Sequence, residues 1–312
     1  MRWSAALTGK LERAKTLDPA IDAIDTVVTR ALPPGGVKDL LHGRWLGHPL
    51  HPLLVALPIG MSIGVLAFDL FGGERGRDAA RKLLGLTLVA IPPTALSGVA
   101  DWSALGKHRR PRRVGLVHAL SNSTASAMFL ASWLARRRGG SGRGWAMAGA
   151  LALSIGGYLG GHLSYAQGVG VNRTIDRQIQ PREWTDVAAA SDIVEGEMHL
   201  TFLGDQPVLL TRLGAEVYAM SATCSHYGGP LYAGRIESSP EPCVVCPWHG
   251  SRFRLSDGEV LRGPATTPEL VYECRVEGDR VQIRIPAAIS TDPPPPVPTG
   301  RPTAEVHTGA WS

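Results

Sequence analysis

Two short stretches carry the residues best suited to chemistry, "CSHYGG" at 224–229 and "CPWHG" at 246–250. Each offers one thiolate and one imidazole, Cys224 with His226 and then Cys246 with His249, so together they form a four-ligand set. A structural zinc site of two Cys and two His sets ligands of like kind side by side. Here each loop supplies one of each, which suits a [2Fe-2S] cluster whose one iron takes two thiolates and the other two imidazoles. Cys224 and Cys246 would then hold the inner iron, and His226 and His249 the outer one. The glycines beside each pair, Gly229 and Gly250 among them, let backbone amides approach the sulfides and stabilise an added electron. Cys243 lacks the C-x-x-H register and reads as a buried thiol, and Cys274 reads as core. With two cysteines spent on iron, no structural disulfide is evident, in agreement with a reducing compartment.

A second polar group is spread through the first half of the chain: His48 and His51 in "HPLHP", Asp101, His118 with Asn122 one turn further, and His162. Each lies in or beside an end of a stretch free of Asp, Glu, Lys and Arg, and the stretches run 45–68, 83–100, 114–135 and 144–172. Traced up and down as antiparallel helices, they bring all six residues to one level. Ionisable groups at membrane depth are costly and usually face a bundle interior. Three uses compete. A b-type haem needs two neutral imidazoles from different helices, His118 with His51 or with His162. A quinone pocket needs one His and one Asp or Asn as partners. Interfacial residues reaching headgroups need neither.

The elements that must position these groups differ between the two halves. Each uncharged stretch is long enough to cross a hydrocarbon core of roughly 30 Å. Their internal glycines and prolines, as in "IPPT" at 91–94 and "GGYLGG" at 156–161, are tolerated in membrane helices. Residues 45–172 therefore read as an all-α four-helix transmembrane domain. The net charge of +5 sits in clusters such as "KHRRPRR" at 107–113 between apolar stretches, which fits loops at a lipid bilayer rather than a nucleic-acid surface. Residues 1–44 hold no apolar core of signal-peptide type. Within them, 18–36 reads as a short amphipathic helix with Asp18 as cap, Pro19 in the first turn, and Ile21, Ile24 and Val28 on one stripe. Four spans put both termini on one face. Lys and Arg are slightly more numerous there, so the positive-inside rule makes it the cytoplasmic face of an inner membrane.

After Gln180 the texture changes to alternating runs, 207–213, 216–220, 271–276 and 280–285, joined by short turns. These are strands of an antiparallel all-β module over 183–286, reached through a linker at 173–182. Residues 287–312 form a proline-rich tail expected to be disordered.

Residues 38–172 resemble a family of predicted four-span bacterial membrane domains through "HPLHPLLVALPIG" and "GGYLGGHLSYAQGVGV". That resemblance implies the span count and no settled activity. The β module resembles Rieske iron-sulfur domains through "CSHYGGPL" and "VVCPWHGSRFRLSDGEVLRGPA". It implies one Rieske cluster on Cys224, His226, Cys246 and His249. Rieske domains of cytochrome bc complexes add a disulfide between the loops, where this chain has Gly229 and Trp248. Ser251 matches the serine that in those proteins bonds a bridging sulfide, and Phe253 stands where they have tyrosine. The implied potential lies within the Rieske range of about −150 to +300 mV, above dioxygenase ferredoxins if Ser251 points inward and below the bc type.

Such clusters either feed an oxygenase site in the same chain or carry electrons between partners. The stretch after Ile285 is too short and too poor in apolar residues to fold as a catalytic domain. The expectation is a membrane-anchored single-electron carrier rather than an enzyme, with a donor and an acceptor still to be identified. Two alternatives stay open: a quinol-oxidising or haem-b-containing membrane enzyme that uses the transmembrane histidines, and a redox or iron sensor.

Overall fold

The computed structural model describes residues 2–174 and 181–286. Most of the expected linker, 175–180, and the expected tail, 287–312, lie outside the described residues.

The first part is helical throughout: α1 (Arg2–Glu12), α2 (Asp18–Ala31), α3 (Gly36–His42), α4 (Leu50–Phe71), α5 (Gly73–Ser103), α6 (Arg109–Arg137) and α7 (Arg143–Gly161). One π-helical turn, His162–Ala166, follows α7. Helix α3 ends on Gly43 in the left-handed region, φ 83°, where a β-carbon would stand 2.2 Å from the carbonyl oxygen of His48. Only glycine permits that approach, and it sets how the chain enters α4.

Helix α4 packs along α5 and α6 along α7, with α5 against α6 and α4 against α7 closing the ring. Helices α4 and α6 thus face each other across the bundle. Val65, Leu84, Phe129 and Ala146 fill its centre, and the Phe129 ring fits only because Gly149 has no side chain to meet it. At the end away from the β module, Arg136 donates to both carboxylate oxygens of Asp69, at 2.9 and 2.6 Å, with both side chains buried. Among the described residues two helices, α4 and α5, are long and apolar enough to cross a membrane, where four were expected. Helix α6 is diluted by "SNSTAS" at 121–126, and α7 by its glycines.

The N-terminal segment holds three helices rather than the single one read from sequence. The acids of α2 meet the basic cluster that opens α6: Arg113 donates to both oxygens of Asp18 at 2.7 Å, Arg109 to Asp22 at 2.6 Å, and Arg112 to Asp25. Asp18 therefore serves as a salt-bridge partner and as the first residue of α2, whose N-cap position is Leu17. Ile21 is fully buried, whereas Ile24 stays exposed, so the expected stripe is only partly used.

The second part is antiparallel β. A six-stranded sheet runs in the order β1 (Thr185–Ala189), β10 (Arg280–Arg284), β9 (Val271–Glu277), β4 (Glu216–Ser221), β3 (Gln206–Leu213), β2 (Met198–Leu203). A four-stranded sheet orders β5 (Arg235–Glu237), β6 (Cys243–Val245), β7 (Arg252–Arg254) and β8 (Val260–Arg262). Strand alternation divides the core. Val208, Leu210, Val281 and Ile283 pack in one cluster, while Leu209, Met220, Val244, Phe253 and Leu255 pack in another that also holds Cys224 and Cys246.

Candidate metal centre

Both ligand loops have the same internal wiring. Gly228 donates its amide to the Cys224 carbonyl at 2.8 Å, and Gly250 donates to that of Cys246 at 3.0 Å. Both glycines sit at φ +75°, in the left-handed region closed to most side chains. The Cys224 amide donates in turn to Gly229 and the Cys246 amide to Ser251, each at 2.8 Å. Each loop is thus locked by the residue four or five positions past its cysteine, which fixes the C-x-H and C-x-x-H spacings. Loop one joins β4 to β5, and loop two joins β6 to β7.

The loops bring like ligands together. Cys224 and Cys246 hydrogen-bond each other below the surface, and this pulls Cys246 down to about 7 while Cys224 is pushed well above its ordinary value. Above them the Nδ1 atoms of His226 and His249 lie 3.2 Å apart, with their rings nearly perpendicular at 87°. Burial lowers His226 to about 3 and His249 to about 4, so both imidazoles are neutral, as metal ligation requires. Among the described residues, no three or more His, Cys, Asp or Glu converge as a metal-binding group. A dinuclear centre needs only two protein ligands on each iron, because inorganic sulfide fills the rest. Two nitrogens 3.2 Å apart can both reach one ion at roughly 2.1 Å, so the residues present fit the cluster.

Ser251 is fully buried and accepts a hydrogen bond from the Ala265 amide at 3.0 Å, which leaves its own proton to donate. A β-carbon at Gly229 would come within 3.0 Å of the Cys246 sulfur, so that glycine is required by close approach. Cys243 lies in β6, buried, with burial raising its thiol, and none of the four cysteines forms a disulfide.

The helical part covers the histidine edge of this centre. His249 lies against Gly106 and beside the carbonyl of Leu105, and the ring of His108 stacks 4.5 Å from Tyr227 and 5.6 Å from His249. Arg44 donates to the Val260 carbonyl at 2.7 Å, the Gly263 amide donates to Asp39 at 2.9 Å, and the Arg173 amide donates to Ser225 at 3.0 Å. Between the two parts opens a cavity of 230 Å³, lined by Lys38, His42, Gly106, Trp248, His249 and Arg262 among others. His42, 2 % exposed, bonds Asp101 through Nδ1 at 2.8 Å, and its Nε2 has no partner among the described residues. Neither His42 nor His108 belongs to a motif, and no spacing in the sequence marks them. Glu269 was missed too: it is buried beneath loop one, accepts from the Ser225 amide, and is pushed up to about 8 by burial.

The six polar residues expected at one level separate into distinct arrangements. Asp101 goes to His42, and His162 pairs with Glu12 of α1 at 2.9 Å. His48 is exposed and lies 3.0 Å from the carbonyl of Pro49 through Nδ1. His51, His118 and Asn122 stay together within the bundle, the two rings 6.4 Å apart.

Two glycine-closed loops that present paired thiols and paired imidazoles from an antiparallel β module define a Rieske-type centre. The chain belongs to the Rieske [2Fe-2S] domain family, matched over residues 183–283, and residues 47–173 match the family described as predicted membrane protein (DUF2231). The anthranilate 1,2-dioxygenase ferredoxin subunit of Burkholderia cepacia is 30% identical over 103 residues, covering 33% of this chain and 93% of the relative. The 3-phenylpropionate/cinnamic acid dioxygenase ferredoxin subunit of Shigella boydii serotype 4 is 35% identical over 99 residues, covering 31% of this chain and 90% of the relative. Apoptosis-inducing factor 3 of Mus musculus is 33% identical over 98 residues, 31% of this chain, and the match spans only 16% of that protein's length. The Rieske domain implies a [2Fe-2S] cluster.

Proposed function

We propose that this protein is a membrane-anchored electron carrier. Its helices α4 to α7 span the inner membrane, and its Rieske domain, on the cytoplasmic face, passes single electrons between a donor and an acceptor. The observation that carries this reading is the paired convergence of Cys224 with Cys246 and of His226 with His249. When bound, a Rieske cluster supplies a one-electron couple. The protein supplies the rest: thiols sealed from water, neutral imidazoles at the outer edge, and a buried Ser251 hydroxyl free to donate inward. Ferredoxin subunits among the relatives support a carrier role.

The four-span reading draws support from how α6 handles its polar residues. Ser121, Thr124 and Ser126 each donate to the carbonyl four residues back, at 2.9, 2.9 and 2.7 Å, so none asks for water. Large apolar side chains stand exposed on all four helices, Ile63, Val89, Leu120 and Leu151 among them. A lipid surface would cover them.

The cavity favours a second reading, oxidation of a small hydroxylated reductant such as a quinol. With Nδ1 donating to the Asp101 carboxylate, the neutral ring of His42 would offer Nε2 as an acceptor for a hydroxyl proton beside His249. Full-length protein purified in detergent decides the main reading. A rhombic EPR signal after dithionite reduction, with two irons per chain, is expected; zinc in place of iron would overturn it.

A further inference from the structure

One pair of side chains inside the bundle has an arrangement that packing alone does not require. His51 on α4 and His118 on α6 come from helices facing each other across the bundle, and their ring centroids are 6.4 Å apart with planes at 81°. Each ring has one nitrogen committed to a main-chain carbonyl on a neighbouring helix: His51 Nδ1 to Thr94 at 3.0 Å, and His118 Nδ1 to Gly156 at 2.7 Å. A ring nitrogen facing a carbonyl carries the proton, so in the neutral form of each ring the lone pair is on Nε2. A carbonyl partner of this kind is what orients imidazoles that ligate metals.

The spacing fits one ion between the rings. Two imidazoles bound through nitrogen to the same metal at about 2.0–2.1 Å have ring centres roughly 6 Å apart when they stand on opposite sides of it. The Asn122 amide nitrogen lies 3.1 Å from His118 Nε2 and 3.4 Å from Nδ1. Nearly equidistant from both, it sits over the ring rather than on the lone-pair axis of Nε2, and that lone pair stays open. Both rings also depend on glycine. A β-carbon at Gly98 would stand 2.8 Å from His51, and one at Gly160 would stand 3.1 Å from His118.

No third protein ligand is at hand, since among the described residues no three His, Cys, Asp or Glu gather to hold a metal. The remaining donors must come from a ligand apolar enough to enter the bundle and planar enough to lie between two opposed imidazoles. A metalloporphyrin meets both conditions. The sequence has no C-x-x-C-H through which to attach one covalently.

We propose that His51 and His118 are the axial ligands of a b-type haem held inside the helical domain. This deepens the electron-carrier reading by placing a second redox centre in the same chain, yet it is read from a different spectrum. The test uses the full chain, produced with a haem precursor, purified in detergent and titrated with hemin. The expected result is about one haem b per chain with sharp reduced bands, and a strongly anisotropic low-spin ferric EPR signal, because the ring planes are nearly perpendicular. His51→Gly and His118→Gly should each lower haem content at least tenfold with the Rieske signal intact, and added imidazole should restore it. His48→Ala and His162→Ala should keep it. Wild-type protein that takes up no hemin overturns the proposal, as does a His51→Gly, His118→Gly double variant that retains haem. So does equal loss from His162→Ala. Failure of the Rieske assignment would show separately, as a missing cluster signal in protein of any haem content.

Discussion

The close histidine pair within the Rieske loops and the one within the helical bundle are built by opposite means. His226 and His249 have ring centroids 5.0 Å apart with Nδ1 toward Nδ1, while His51 and His118 stand 6.4 Å apart with each Nδ1 turned away to a carbonyl. The first spacing suits two ligands on adjacent corners of one ion, and the second suits two on opposite sides. Loop ligands are placed by local wiring, the Gly228 and Gly250 turns, over a few residues. Bundle histidines are placed by helices that meet only after the whole domain has packed. A site of the first kind should fail by losing its metal, and one of the second kind by losing its scaffold.

The largest expected effect tests the first half of that contrast. His249→Ala should abolish the cluster EPR signal outright and leave the detergent-solubilised helical domain folded, as read by far-UV circular dichroism. Cys243→Ser should leave the signal unchanged, because Cys243 is buried within β6 rather than in a ligand loop. The reverse outcome would mean that Cys243 is the ligand.

The same contrast explains what the sequence disclosed. The convergence of Cys224 with Cys246 and of His226 with His249, and the strands at 207–213, 216–220, 271–276 and 280–285, were legible because a loop code and a two-residue alternation are local signals. The polar level in the bundle was legible only as a level. Helix ends give depth along the bundle axis but not rotation about it, so Asp101 and His162 were grouped with His118 although they turn toward His42 and Glu12. Those partners lie in the N-terminal segment, whose docking depends on ion pairs between residues some 90 positions apart, such as Asp18 with Arg113. His42 and His108 were missed for the same reason, since their importance comes from facing the Rieske loops.

The scaffold half is tested by the buried Asp69–Arg136 pair, with both side chains 4 % exposed. Removing one partner of such a pair leaves a buried charge unmatched and costs about 3–5 kcal/mol. Asp69→Ala should therefore lower the unfolding midpoint of the helical domain in detergent. The cluster EPR signal should stay at wild-type strength, and a parallel loss of both would show that the two regions fold as one unit.

Beneath loop one, Glu269 offers a pH test confined to the Rieske side. Its folded value of about 8 lies above the ordinary 4.5, with burial as the main cause, so the fold holds a proton that the unfolded chain releases. The stability it contributes is fully present below pH 4.5 and is lost as pH rises toward 8. Thermal loss of the cluster signal should move to lower temperature across that window in the wild type. Glu269→Gln, which keeps an acceptor for the Ser225 amide, should flatten the trend. An unchanged slope in the variant would mean that another group sets it.

The smallest effect separates tuning from assembly within the loops. Ser251 is already an acceptor for the Ala265 amide, so its proton is free for the cluster side, whereas Phe253 has no hydroxyl to offer. A hydrogen bond that favours the reduced state by about 1 kcal/mol raises a one-electron potential by roughly 40 mV. Ser251→Ala should lower the potential by that order in a redox titration, with the cluster fully retained, because no ligand moves. Ser251→Thr keeps the hydroxyl and should hold the potential closer to wild type if its added methyl is accommodated. A Ser251→Ala variant with an unshifted potential would mean that the hydroxyl serves the Ala265 turn alone, leaving the backbone amides of the glycine-closed loops to tune the cluster.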